Sequence, residues 1–381
     1  MGESKGDVSV VIVGPFSAQV YPQPVLSTER RPRDLSKCGE SNDHDPMSQS
    51  PFPSLDDLKV GLMSILSGHA TLPSPVEIME RRPLNTTQSH PSEVVKCRRA
   101  DGQELQLLCK YGDEAPVEHQ RHGHRRGVAY ETLVYRTLLA PQGARVPHWY
   151  GTFLDSKGRT WLVIEYLDGA VPITYLDGAV PITTAEAVTW QASLKEAARW
   201  IALFQNRVDA RPEGAAVQSL ITYDAEYYTG WARRTLSFAE TLPGPAAWLA
   251  AVVNGYATAL VPMLMRHPTF IHGEYYPGNI MLWRDAVYVL DWESAAIGAG
   301  EIDLSCLIEG LETELAQVVI DAYRNARVPS NAEDDFMMAL EAATIYLQFR
   351  WLGDRQEWTI DDSSEPLFAR LRAGAERCGL I

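Results

Sequence analysis

Between Phe270 and Glu293 the chain reads Phe-Ile-His-Gly-Glu-Tyr-Tyr-Pro-Gly-Asn-Ile-Met-Leu-Trp-Arg-Asp-Ala-Val-Tyr-Val-Leu-Asp-Trp-Glu. Four side chains in it are suited to proton and metal work. Glu274 can take or orient a proton, and Asn279 and Asp291 offer hard oxygen donors to a divalent cation, with His272 at the head of the loop. The chemistry that uses such a set is phosphate transfer, in which positioned charge and metal do most of the work.

These groups need a scaffold, and the pattern around them supplies one. A short apolar strand ends at Ile271, a polar loop follows, a second strand covers Ile280 to Trp283, Arg284-Asp285 turns, and Ala286 to Leu290 delivers Asp291. Upstream, strands are expected over Val76 to Arg81, Glu93 to Arg98 and Glu104 to Lys110, the last two joined by Asp101-Gly102, a strong hairpin signal. Alternation puts Gln106, Leu108 and Lys110 on one face of the third strand, with Lys110 at its end. A helix carries Glu131, Tyr135 and Leu138 on one face. Trp161 to Glu165 reads as a further strand, followed by Tyr166-Leu167-Asp168-Gly169.

The spacing His272-x-Glu274-x4-Asn279 is that of the His-x-Asp-x4-Asn loop of protein-kinase-type sites. The loop and its continuation, Leu290-Asp291-Trp292-Glu293 and Ile302-Asp303-Leu304-Ser305, resemble the aminoglycoside phosphotransferase and choline kinase family more closely. The resemblance spans roughly Leu72 to Leu352 and is strongest over Ile271–Ser305. One departure is plain: the family's loop has Asp where this chain has Glu274.

The resemblance implies a two-lobed, kinase-like α+β fold with a small antiparallel-sheet N-lobe and a larger, mainly helical C-lobe. It implies transfer of the ATP γ-phosphate to a hydroxyl of a small molecule. Glu274, His272 and Asn279 are then the catalytic residues. Asn279 and Asp291 hold Mg2+, Lys110 binds phosphate and pairs with Glu131, and Glu165 and Leu167 belong to the hinge that holds the adenine. The polar loop Pro83 to Ser92, with Ser89 as its phosphate contact, lies where such folds cover the phosphates, although it lacks glycines and also reads as an ordinary loop. Because of Glu274, a catalytically silent nucleotide-binding scaffold or sensor stands as the alternative.

Composition sets outer bounds. The chain has 381 residues, 45% of them apolar, and a net charge of −15. Such charge disfavours a nucleic-acid backbone or an anionic membrane as the main partner and favours a cationic, amine-bearing substrate. From Thr184 onward, 15 Lys and Arg face 27 Asp and Glu, so about −12 of that charge lies in the second half. Cys38, Cys97, Cys109, Cys306 and Cys378 form no Cys-x-x-Cys pair, which fits free thiols in a cytoplasmic protein.

The remaining segments complete the domain plan. Residues 1–53 read as a disordered tail, 54–165 as the N-lobe opening with a helix at Ser54, 166–183 as the hinge, and 184–381 as the C-lobe. Tyr-Leu-Asp-Gly-Ala-Val-Pro-Ile-Thr occupies 166–174 and recurs at 175–183, a tandem duplication read as extra loop beside the hinge. His119, His122 and His124 lack the carboxylates or thiols that would complete a zinc site. Thr183 and Glu186 make a capping box for a helix buried through Trp190, Leu194, Ala197, Ile201, Phe204 and Val208. Tyr223, Tyr227, Tyr228, Trp231 and Trp248 either wall an acceptor pocket or pack one helix on another. A helix is expected from Glu301 through Arg324, with Asp303 bracing the loop or complementing the helix dipole, and another over Asp334 to Trp351.

Overall fold

The turn at Asp101-Gly102 forms with Gly102 at φ 84°, a left-handed conformation that glycine adopts without a Cβ clash. It joins β2 (Ser92–Arg99) to β3 (Glu104–Asp113). The computed structural model of the chain describes residues 50–67, 75–84, 90–113, 122–173, 184–209, 220–242, 244–328, 333–361 and 364–381. Residues 1–49 of the expected tail 1–53, Ser89, His119 and the second copy of the duplication lie outside these residues.

With β1 (Val76–Pro83), β4 (Trp149–Leu154) and β5 (Arg159–Glu165), these strands make a five-stranded antiparallel sheet in the order β1-β2-β3-β5-β4. Helix α1 (Leu55–Leu66) covers one face. Its N-terminus is capped by Ser54, whose Oγ accepts the Asp57 N–H at 3.1 Å, and it buries Leu58, Leu62 and Ile65. Gly61 lets it approach Trp161, since a Cβ there would stand 2.3 Å from the indole.

Helix α2 (Gly127–Val134), continued by a π turn over Tyr135–Leu139, covers the other face. Alternation divides β3 and β5 between two cores. Leu107, Cys109, Tyr111, Trp161 and Val163 pack under α1, while Leu108, Leu162 and Ile164 join the core of the larger lobe.

The strand that carries Lys110 runs three residues further than its apolar pattern suggests. Lys110 lies inside β3, paired with Ser92 and Leu162, because β5 continues to pair down to Asp113. After β5, Val171–Pro172 of the first repeat copy forms a short strand, β6, against β8 (Ile280–Trp283), which in turn pairs with β9 (Ala286–Val289). That copy is thus docked on the loop hairpin. A second two-stranded pair joins β7 (Pro268–Ile271) to β10 (Ala296–Ala299).

The larger lobe is built on α3 (Thr184–Asp209), α4 (Ala225–Phe238), α5 (Leu249–Gly255) and α6 (Val261–Leu264), then α7 (Glu301–Ile308), α8 (Thr313–Ala326), α9 (Glu333–Asp354) and α10 (Gln356–Thr359), and ends in α11 (Glu365–Arg377). The single helix expected from Glu301 to Arg324 is two. Gly310, at φ 77°, turns the chain between them. Among the described residues no helix is long and apolar enough to cross a membrane.

Candidate active site

Lys110 crosses the cleft to two carboxylates. Its Nζ lies 2.7 Å from Glu131 Oε2 and 2.6 Å from Asp291 Oδ1. Burial alone would discharge the ammonium, but Asp291 and Glu131 outweigh it and hold the lysine pKa well above its usual value. Glu131 is 2% exposed and burial lifts its pKa, whereas at Asp291 burial is outweighed by Lys110 and the carboxyl is held low. The other Glu131 oxygen accepts the Trp292 N–H at 3.2 Å, so one side chain ties α2 to both the lysine and the residue after Asp291.

Asp291 reaches Lys110 through a backbone turn. It sits at φ 65°, ψ 63°, a left-handed conformation that aspartate tolerates better than most residues. Asn279 is fixed beside it: its carbonyl accepts the Leu290 N–H at 2.9 Å and its Nδ2 donates to the Glu274 carbonyl at 2.9 Å. Its Oδ1 accepts no hydrogen bond among the described residues. An amide oxygen and a carboxylate on adjacent hairpin positions form an oxygen-only donor pair of the kind a hard divalent cation takes.

His272 is structural in its contacts. Its Nε2 donates to the Leu290 carbonyl at 2.8 Å and its Nδ1 accepts the Glu274 N–H at 3.2 Å. Complete burial lowers its pKa and keeps it neutral, as this pairing requires. Asp303 Oδ2 and Oδ1 accept the N–H groups of His272 and Gly273 at 2.8 and 2.9 Å, the bracing arrangement.

Glu274 is 2% exposed and enclosed by cations. Arg125 Nη2 meets its Oε1 at 2.9 Å and Nε its Oε2 at 3.2 Å; Arg350 Nη1 lies 3.3 Å from Oε1, His124 Nε2 3.5 Å from Oε1, and Ser294 Oγ donates to Oε2 at 3.3 Å. Burial would raise this carboxyl, but Arg125, His124 and Arg350 overcome it and hold the pKa well below the ordinary range.

Arg125 belongs to a strap that enters α2 on the side of Glu274. His122, at φ 50°, stacks on Tyr227 with ring centroids 5.3 Å apart and its Nε2 donates to the Tyr227 carbonyl at 2.9 Å. His124 is hydrogen-bonded through Nδ1 to the Tyr227 hydroxyl at 2.8 Å. The aromatic residues of α4 are therefore both helix packing and a wall beside Glu274.

Arg125, His124 and Arg350 were not legible as site residues in the sequence. The one available signal for Arg350 is a lone cation inside the apolar run Ile345 to Leu352. Just after β5, Leu167 is 7% exposed and its N–H has no partner among the described residues, while Glu165 Oε2 accepts the His148 N–H at 3.3 Å. His90, next to the polar loop, places Nε2 3.2 Å from Glu293 Oε2.

The sequence profile of the phosphotransferase enzyme family (APH) matches residues 119–337, more than half of the chain. The chain belongs to that family. Among curated relatives of this phosphotransferase-family chain, a Protein LicA homolog of Mycoplasma capricolum subsp. capricolum is 30% identical over 76 residues, 19% of this chain and 32% of that protein. The chain thus spans about a third of that relative's length. The fold is shared with choline kinase LicA from Streptococcus pneumoniae (TM-score 0.52, 13% identity, 83% of this chain and 98% of that one). It is shared equally with the GDP complex of wild-type aminoglycoside 2'-phosphotransferase-IIIa (TM-score 0.51, 14% identity, 85% and 99%).

Proposed function

We propose that the chain moves the γ-phosphoryl group of ATP to a hydroxyl of a small, amine-bearing molecule. The observation that carries this reading is the Lys110 ammonium held between Glu131 and Asp291, which supports a role for Lys110 in binding phosphate, fixed by its helix glutamate, beside Asp291 as a carboxylate for the metal. The family membership supports it, as do the nucleotide in one structural relative and the choline kinase activity named for another.

Asp291 and Oδ1 of Asn279 would hold Mg2+. When bound, that ion neutralises charge on the phosphates. Lys110 would contact the phosphates, Leu167 would offer its N–H to the adenine, and His272 and Asp303 would keep the loop in place. The acceptor oxygen forms the new bond to phosphorus as the bond to the β-phosphate oxygen breaks and ADP leaves. Glu274, pinned by Arg125 and Arg350, would orient the acceptor hydroxyl and receive its proton late, since a loose transition state asks little of the base.

The enclosure of Glu274 favours a second reading, a nucleotide-binding protein without turnover. An ATP-consumption screen over aminoglycosides, choline, amino sugars, macrolides and hydroxylated amino acids, run beside calorimetric Mg·ATP titration, separates the two. Binding without turnover supports the second; absence of Mg·ATP binding overturns both.

A further inference from the structure

Behind the loop, three buried side chains from three helices stand in line. Tyr323 of α8 donates its hydroxyl to Gln205 Oε1 at 2.6 Å, Gln205 of α3 turns Nε2 toward Asp303 Oδ2 at 3.5 Å, and Asp303 of α7 accepts the N–H groups of His272 and Gly273 at 2.8 and 2.9 Å. Tyr323 is 1% exposed, and Gln205 and Asp303 are fully buried.

A carboxamide has two ends of opposite polarity, and only its NH2 end attracts a carboxylate. The Tyr323 hydroxyl donates to the oxygen of Gln205 and so decides which end faces Asp303. Were the amide reversed, an oxygen lone pair would face the carboxylate in a fully buried site, where such repulsion is poorly screened. Burial already pushes the Asp303 carboxyl up to about 7, so its charge depends on the N–H groups turned toward it.

Two glycines show how little slack the arrangement has. A Cβ at Gly300 would stand 3.0 Å from the Tyr323 hydroxyl and 3.1 Å from Gln205 Oε1, so the bond between them has room only because position 300 is bare. On the far side of the loop, Gly273 is at φ 81° and a Cβ there would stand 2.3 Å from the Ser294 carbonyl oxygen. The loop is thus held between that carbonyl in front and Asp303 behind.

We infer that Gln205 and Tyr323 are positioning residues for the phosphoryl-transfer loop: Tyr323 sets the amide of Gln205, the amide sets Asp303, and Asp303 sets the backbone that places Glu274. The role rests on the reading of residues 272–279 as the catalytic loop. Neither residue touches nucleotide or acceptor in this reading. The competing account is a polar pair that only satisfies the packing of α3 on α8.

Amide-resolved hydrogen exchange on the full chain tells these apart. In Tyr323→Phe and Gln205→Met the amides of His272 and Gly273 exchange roughly five- to tenfold faster, the loss expected for one hydrogen bond's worth of local opening, while the middles of α3 and α8 are unchanged. Gln205→Glu, which sets a second carboxylate against Asp303, gives a larger acceleration at the same two amides. On an acceptor found by the screen, Tyr323→Phe lowers kcat with KM unchanged. Unchanged exchange at His272 and Gly273 in a folded variant overturns the inference, and so does acceleration spread evenly over α3 and α8. Should Gln205→Met fail to fold, Tyr323→Phe, which removes one oxygen, decides alone. Mg·ATP titration of the wild-type chain keeps the two readings apart: failure to bind nucleotide sinks the proposed function, whereas the exchange result judges the relay whatever that titration gives.

Discussion

Arg125 and Glu274, 149 residues apart in sequence, form a two-pronged ion pair at 2.9 and 3.2 Å that joins the entry of α2 to the loop of residues 272–279. A carboxylate so held is a weak base, suited to taking a proton only late in a transfer, and a firm anchor. It ties the helix carrying Glu131 to the loop carrying Asn279, so the two halves of the candidate site are connected through Arg125 and Glu274 as well as through Lys110.

Removal of the Glu274 charge is therefore expected to act twice. Glu274→Gln leaves Arg350, 3% exposed, without its counter-charge, and urea denaturation should show a loss of about 3–5 kcal/mol. Turnover should fall by about 10²–10⁴ with nucleotide affinity nearly intact. Adding Arg350→Met should recover most of the stability and none of the turnover, because Arg125, 28% exposed, can turn to water. Full activity of Glu274→Gln on a confirmed substrate would refute the role given to Glu274.

Asp291→Asn tests the metal carboxylate. It removes the charge that both Lys110 and a magnesium ion would use, so calorimetry should find Mg·ATP binding weakened by at least about a hundredfold, and EDTA should weaken nucleotide binding to the wild type in the same direction. Equal affinities with and without the substitution would remove Asp291 from the metal site.

Gly230 offers a handle on the strap. A Cβ there would meet the His122 ring at 2.2 Å, so Gly230→Ala should expel that ring from Tyr227 and Trp231. Losing one stacked contact and one hydrogen bond, the strap should be cut by trypsin after Arg125 or Arg126 about tenfold faster, followed by mass spectrometry. An unchanged cleavage rate would show that His122 does not hold the strap.

The pH dependence of stability has a sign that His124 fixes. Burial first, and then Arg350, depress its folded-state pKa below the 6.5 of an ordinary histidine, so the unfolded chain binds the proton first. Its contribution is complete above 6.5 and is lost as pH falls through the depressed value. The melting temperature of His124→Phe minus that of the wild type should accordingly rise as pH is lowered from about 7 to 5. A difference that stays flat with pH would show that His124 is not buried neutral.

The fold was legible in the sequence, and so was the placement of Lys110, Glu131, Asn279 and Asp291 as candidate site residues, because periodicity and motif spacing put Lys110 on a strand, Glu131 on a helix face, and Asn279 and Asp291 at the two ends of a hairpin. Lys110 was misplaced by only the length of its strand, since β pairing with β5 continues past the apolar pattern. Gly310 was passed over because one glycine in a helical pattern is ambiguous without knowing its φ. Arg125, His124 and Arg350 were illegible for another reason: their meaning is tertiary. Nothing in His-Gly-His-Arg-Arg says that it folds over Glu274, and a buried arginine in α9 acquires its role only from a loop 76 residues away in sequence.

The two-sided strands β3 and β5 bear on how the molecule comes apart. Because Trp161 and Val163 belong to one core while Leu162 and Ile164 belong to the other, neither lobe can melt without stripping a face from the strand that the other depends on. The lobes are expected to share one calorimetric transition, with van't Hoff and calorimetric enthalpies in agreement, in contrast to the staged melting of chains whose domains meet only through a linker.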